Sequence, residues 1–315
     1  MRLSTTTNIY YSRPGGRKCS YIESIRKVAQ AGFDCIDFQF NNAVLNPANE
    51  LCADDWERNV AQMAEELERC GITANQAHAP FYEFLDPDLK DREWKLEMSR
   101  RSVMAAGMLG VRWIVIHPGT LFGNPRKQDN VRANQEYLKP LIELAGQYGM
   151  GVALENIFDK FMLQRGGKVN VETPLSARLT SGCFRTARYF ANWPEDLAEL
   201  VDSLQPYGTV GACWDTGHGN EMMVDQRMSL QILGPRLKAL HVNDNFGMHD
   251  NHLLPYFGQV QWEPILSTLK EIGYDGELTF ETGANFNNVP EPLIDEALAY
   301  AAKVGRYMIR QYENL

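Results

Sequence analysis

Six short apolar runs in this chain each end in a residue able to bind a metal or move a proton. ITANQA ends in His78, WIVI in His117, GVAL in Glu155, TVGACW in Asp215, LKAL in His241 and GELTF in Glu281. An ionised carboxylate held away from water is costly unless it is paired or bound to a cation, so six such endings imply a shared purpose. Carboxylate oxygens and imidazole nitrogens converging on one axis make a coordination shell for a divalent ion. A polar stretch at 246–258, FGMHDNHLLPYFG, adds Asp250 two positions before His252, with His249 just ahead. It has no regular apolar period and reads as a loop.

The elements that must position these groups alternate from one end of the chain to the other. Short β-branched or apolar runs, expected to be strands, occupy 3–8, 35–40, 72–78, 113–117, 151–155, 209–215, 237–242 and 276–281. Amphipathic stretches of helical length lie between and after them at 21–32, 54–71, 91–110, 131–149, 195–205, 226–234, 263–273 and 291–312. Gly32, Gly71, Gly110, Gly149 and Gly273 stand where a helix would stop on a left-handed residue. Eight βα units predict an α/β fold, a single-domain (β/α)8 TIM barrel spanning 1–315. A doubly wound open sheet is the alternative, but no GxGxxG follows the first strand and no composition break marks a second domain. The long connections at 41–53 and 156–184, the second containing QRGGKVN, are expected to be lids.

In such a barrel, alternate strand residues point inward and chemistry sits at the carboxyl ends of the strands. The last inward positions of the third to eighth strands are then His78, His117, Glu155, Asp215, His241 and Glu281. Two residues upstream lie Val115, Ala153, Cys213, Ala239 and Thr279, suited to filling a barrel, with the larger Gln76 before His78. Leu154, Trp214, Leu240 and Phe280 then face the helices. Phe40, Phe81, Tyr82, Phe158 and Trp262 are candidate pocket walls.

The motifs LEN (154–156), WDTGH (214–218), HVND (241–244) and FET (280–282) resemble the xylose-isomerase-like TIM-barrel superfamily of sugar and sugar-phosphate isomerases and epimerases. The resemblance covers most of the chain, and WDTGH is its most specific motif. It implies that Glu155, Asp215, His241 and Glu281 are the four ligands of one divalent ion, with His218 beside the substrate. Glu155 and Glu281 would take and return a proton next to a carbonyl, acting on a sugar, sugar phosphate or polyol. Mixed oxygen and nitrogen donors suit Mn, Mg or Co, whereas the histidine surplus leans toward Zn. A metal-dependent dehydratase of a small polyol or keto-inositol is the alternative.

QAHAP (76–80), VIHPG (115–119) and DNH (250–252) also resemble the endonuclease IV type of DNA-repair enzyme. That likeness adds His78, His117, Asp250 and His252 as ligands of further metals or as direct substrate contacts. One departure concerns Gly247, which stands where many sugar epimerases of the superfamily carry an Arg. That leaves one substrate contact without a donor.

Charge narrows the partners. With 31 Lys and Arg against 40 Asp and Glu, the formal charge is −9, which argues against a nucleic-acid backbone as ligand. RGGK (165–168) and NPRK (124–127) are the basic patches near strand ends, enough for a small phosphorylated sugar. The six cysteines show no CxxC pair and suggest neither a zinc ribbon nor a disulfide framework. No apolar leader and no membrane-length run are seen, so a cytoplasmic protein is expected. Association of identical copies is left open.

Overall fold

The computed structural model describes residues 1–9, 19–41, 43, 48–123, 125–163, 183–247 and 249–315, with the backbone alone at 160–163 and 183–187. Eight parallel strands form one sheet: β1 (Leu3–Thr6), β2 (Cys35–Gln39), β3 (Thr73–His78), β4 (Trp113–Ile116), β5 (Gly151–Glu155), β8 (Val210–Asp215), β9 (Leu237–His241) and β10 (Leu278–Phe280). Their order is β10-β1-β2-β3-β4-β5-β8-β9. The ring closes through Val242, whose N–H donates to the Thr279 carbonyl at 2.8 Å and whose carbonyl accepts from Glu281 N at 3.1 Å. The eight expected strands are the eight observed, and the barrel is nearly closed.

Among the described residues the α-helices are α1 (Tyr21–Ala31), α2 (Trp56–Cys70), α3 (Arg92–Met108), α4 (Lys127–Gln147), α5 (Pro194–Leu204), α6 (Thr216–Glu221), α7 (Gln226–Leu233), α8 (Trp262–Glu271) and α9 (Ile294–Asn314). In α1, Tyr21, Ser24, Ile25 and Val28 are buried, the stripe expected of a helix lying on a sheet. Ser20 caps it by accepting from Glu23 N, and Gly32 ends it in the left-handed conformation. The other four expected cap glycines are also left-handed. Leu154, Trp214, Leu240 and Phe280 face outward into this main core, each 0% exposed. Burying a side chain of that size contributes about 1.5–3 kcal/mol.

Three features differ from the sequence expectation. Helix α4 begins four residues earlier, because the Asp129 carboxylate accepts from the Arg126 backbone N–H at 3.1 Å and caps the extra turn. Helix α6 was not foreseen: TGHGNE is too short and polar to show a helical period. The 156–184 connection, expected to be a lid loop, carries the first strand of an antiparallel pair, β6 (Lys160–Leu163) with β7 (Cys183–Ala187). RGGK and the rest of 164–182, Asn124, and most of 42–47 lie outside the described residues.

Inside the barrel, Trp113, Val115, Ala153, Cys213 and Ala239 form a separate apolar cluster. The pairing of β2 with β3 slips beside it: Ile36 faces Ala74, but Asp37 faces Gln76. The extra residue, Asn75, shares the inward side with Gln76, as a β-bulge allows. Asn75 accepts from Ser4 Oγ at 2.7 Å and donates to Thr279 Oγ1 at 3.4 Å, while Gln76 donates to Asp37 Oδ2 at 3.1 Å.

Candidate active site

At the carboxyl ends of the strands lies a cavity of about 430 Å³, lined among others by His78, His117, Glu155, His218, Asp250, His252 and Glu281. Asp215 and His241 sit beneath it, both 0% exposed. Register brings these groups together, since Asp215 pairs directly with His241 across β8 and β9. One ligand atom from each of Glu155, Asp215, His241 and Glu281 lies within 4.8 Å of the others. The same is true of His78, His117 and Glu155, and of Glu155, Cys213 and His241.

Glu155 is the hub. Its Oε1 is 2.5 Å from His241 Nδ1, and its Oε2 is 2.9 Å from His78 Nε2 and 3.2 Å from His117 Nε2. Burial would raise its pKa, but His241 and His117 hold it well below the usual carboxylate range. His78 donates from Nδ1 to the Ala79 carbonyl at 2.6 Å, which aims Nε2 at Glu155. Burial drives His117 down to about 3, and its Nδ1 has no partner among the described residues.

Asp215 ends β8 and caps α6, with Oδ1 accepting from His218 N at 2.7 Å. Its Oδ2 accepts from Asn243 Nδ2 at 2.7 Å, while Asn156 holds its backbone from both sides. Burial pushes its carboxyl up to about 7. His218 donates from Nδ1 to the Asn156 carbonyl at 2.8 Å, so Nε2 turns to the cavity, 3.7 Å from Asp250 Oδ2.

The loop after β9 brings Asp250 and His252 to the cavity. His252, left-handed at φ 46°, donates from Nδ1 to the Glu281 carbonyl at 2.8 Å and meets Asp250 Oδ2 with Nε2 at 2.8 Å. Burial works against a charge on His252, yet Asp250 raises it to about 10. Glu281 turns its carboxylate to the cavity, with Oε1 accepting from Gln39 Nε2 at 3.1 Å. His249 is exposed and is not among the described residues lining the cavity. Gly247, also left-handed at φ 70°, has a backbone that an Arg would adopt only with strain.

Sequence reasoning missed Asp37, which accepts from Gln76 and lies 3.0 Å from His241 Nε2. It also missed Gln39, Asn156 and Asn243. The signal for the first two was present: in CIDFQF, Asp37 and Gln39 alternate with Ile36, Phe38 and Phe40. That same alternation corrects the pocket walls. Phe40 packs in the core, 5.8 Å from the Tyr21 ring and 5.9 Å from Phe38. Tyr82 packs edge-on to Phe84, and Trp262 donates from Nε1 to Asp244. Phe81 and Phe158 do line the cavity, 4.6 Å from His117 and 5.1 Å from His218.

The donor set suits a cation. Three imidazoles surround one buried carboxylate, three further carboxylates lie close by, and no Lys or Arg lines the cavity among the described residues. The orphaned His117 Nδ1 and Asp250 Oδ1 are further buried polar atoms lacking a protein partner there.

A barrel with its titratable groups gathered at the strand ends defines a class, and comparison with known proteins fixes the family. The family described as xylose isomerase-like TIM barrel matches residues 25–304, and the chain belongs to it. It is similar to the uncharacterized protein MJ1311 of Methanocaldococcus jannaschii, 26% identical over 83% of this chain and 79% of that one. A probable endonuclease 4 of Acholeplasma laidlawii is 23% identical over 78% of this chain and 76% of its own length. In solved structures the fold recurs in a D-psicose 3-epimerase with D-tagatose from Clostridium cellulolyticum H10. That likeness has a TM-score of 0.68 and 18% identity, covering 98% of this chain and 99% of the other. Among the described residues no helix is long and apolar enough to cross a membrane.

Proposed function

We propose that the chain is a divalent-metal-dependent isomerase or epimerase of a small sugar, sugar phosphate or polyol, with residues 1–315 acting as one catalytic barrel. One observation carries this reading. Glu155, Asp215, His241 and Glu281 converge within 4.8 Å of one another at a cavity of about 430 Å³, room for a monosaccharide. A bound divalent ion supplies Lewis acidity to a carbonyl and its adjacent hydroxyl, making the proton on the hydroxyl-bearing carbon easier to remove. Mn, Mg or Co fits the mixed four-donor set, and Zn fits the histidine surplus.

The side chains do the rest. Glu281, with one oxygen steadied by Gln39, takes or delivers the proton from one side of the cavity, and Glu155 serves the other. Returning the proton to the opposite face of the same carbon epimerises the sugar; returning it to the former carbonyl carbon, with the hydroxyl proton passing to the former carbonyl oxygen, isomerises it. His218, fixed by the Asn156 carbonyl, holds a substrate hydroxyl with Nε2, and Asp250 and His252 hold another. Phe81 and Phe158 exclude water and offer apolar faces to the C–H side of a sugar. The fold shared with a ketose 3-epimerase supports the same chemistry.

A metal-dependent dehydratase of a keto-inositol would share the first proton removal. The probable endonuclease 4 relative, with His78, His117, Asp250 and His252 in place, favours phosphodiester cleavage as a second reading. The charge of −9 weighs against a duplex substrate. The test is incubation of the metal-loaded chain with ketopentoses and ketohexoses in D2O, beside an abasic duplex. Deuterium at the carbon next to the carbonyl, with a new sugar isomer, is expected. Duplex cutting without any sugar exchange would overturn the proposal.

A further inference from the structure

We infer that Asp37 is the positioning residue of this centre: it fixes which nitrogen of His241 is left bare toward Glu155 and Glu281. The inference rests on the metal reading above and goes beyond its ligand set. An imidazole presents a lone pair on one nitrogen only when the other carries the proton, so the partner of the second nitrogen chooses the ligand atom.

In His241, Nδ1 faces Glu155 Oε1 at 2.5 Å and Glu281 Oε2 at 3.4 Å, whereas Nε2 faces Asp37 Oδ2 at 3.0 Å. A carboxylate oxygen only accepts, so a cation held by Glu155 and Glu281 would take the Nδ1 lone pair while Asp37 accepts from the proton on Nε2. Gln76 competes for the same point. Its Nε2 lies 2.8 Å from His241 Nε2 and, as a donor, would require that nitrogen bare. The competition is unequal. A bond to a carboxylate is charge-assisted and roughly twice as strong as a neutral one. Gln76 can turn its amide over and present oxygen instead.

The barrel is built to bring Asp37 here. The bulge in β3 sets Gln76 opposite Asp37, and Asp37 is 0% exposed, touching Gln76 and His241. Its second oxygen finds no partner among the described residues. A carboxylate so placed costs stability, and an apolar residue of like volume would pack at less cost. Orienting His241 is the return the geometry offers.

The test uses the full chain, wild type and Asp37→Asn, stripped of metal and titrated with Mn2+ by calorimetry, with thermal unfolding of the metal-free forms in parallel. The Asn variant is expected to unfold near the wild-type temperature yet bind Mn2+ about 10–100-fold more weakly. Nitrogen-15 NMR of the Zn2+-loaded wild type is expected to show His241 protonated on Nε2. A folded variant that binds Mn2+ as tightly as wild type overturns the inference and leaves the metal reading standing. So does a proton found on Nδ1, and that measurement decides alone if the variant does not fold. A wild-type chain that binds no divalent ion removes both.

Discussion

Two rings of side chains line the same barrel strands two residues apart, and they meet burial in opposite ways. The lower ring, Trp113, Val115, Ala153, Cys213 and Ala239, is apolar and packs upon itself. Directly above it, Glu155, Asp215 and His241 are just as deeply buried, at 0–1% exposure, and all of them ionise. Depth therefore does not explain composition. The lower ring stabilises the fold by excluding water, whereas the upper ring buries groups that cost stability unless they are paired or bound to a cation.

The largest expected contrast is kinetic. Glu281→Gln and Glu155→Gln should each lower deuterium exchange into substrate about 10²–10⁴-fold, the usual share of a general acid or base. Ala153→Ser, two residues below Glu155, should leave exchange close to wild type. Mass spectrometry of the recovered sugar reads both. Exchange surviving either Glu change would exclude that residue as a proton carrier.

Stability should divide the rings again. Mn2+ at about 100 times its dissociation constant should stabilise the wild type by about 2.7 kcal/mol. Asp215→Asn should lose that gain, and a chelator should reverse it in the wild type, as seen by thermal unfolding. Overfilling the lower ring with Ala153→Leu should cost about 1–3 kcal/mol with or without metal. A cost seen only in the metal-loaded form would mean that the two rings are not independent.

The smallest effect lies at the other end of the barrel. There Asp34 pairs with Arg306 at 2.7 Å through both oxygens and accepts from Leu3 N at 2.8 Å. Arg306 holds its carboxyl below the ordinary value, with burial opposing. The contribution is therefore complete above the unfolded pKa of about 3.9 and is lost as pH falls through the folded one. Both partners are about one-third exposed, so Asp34→Asn should cost only about 0.2–1 kcal/mol at neutral pH. Wild type and variant should converge in acid, as denaturant titrations at neutral and low pH can check.

The upper ring was legible because strand parity is strict. Once GVALE and TVGACWD are strands, Glu155 and Asp215 must share the inward side with Ala153 and Cys213. Parity could not show the bulge in β3, which adds Asn75 to the inward side through pairing with β2. Nor could it rank Phe40 as core without following CIDFQF to its end, where Asp37 and Gln39 also lay. The neighbours Asn156 and Asn243 were inside the LEN and HVND motifs, but their roles are hydrogen bonds to Asp215 from other strand ends. Such contacts depend on tertiary geometry that spacing does not encode.

The upper ring as a metal site is tested most directly by calorimetric titration of Mn2+ into the chelator-treated wild-type chain and into Asp215→Asn. Saturable binding by the wild type and none by the variant is predicted. Binding by neither chain, or equal binding by both, would contradict it.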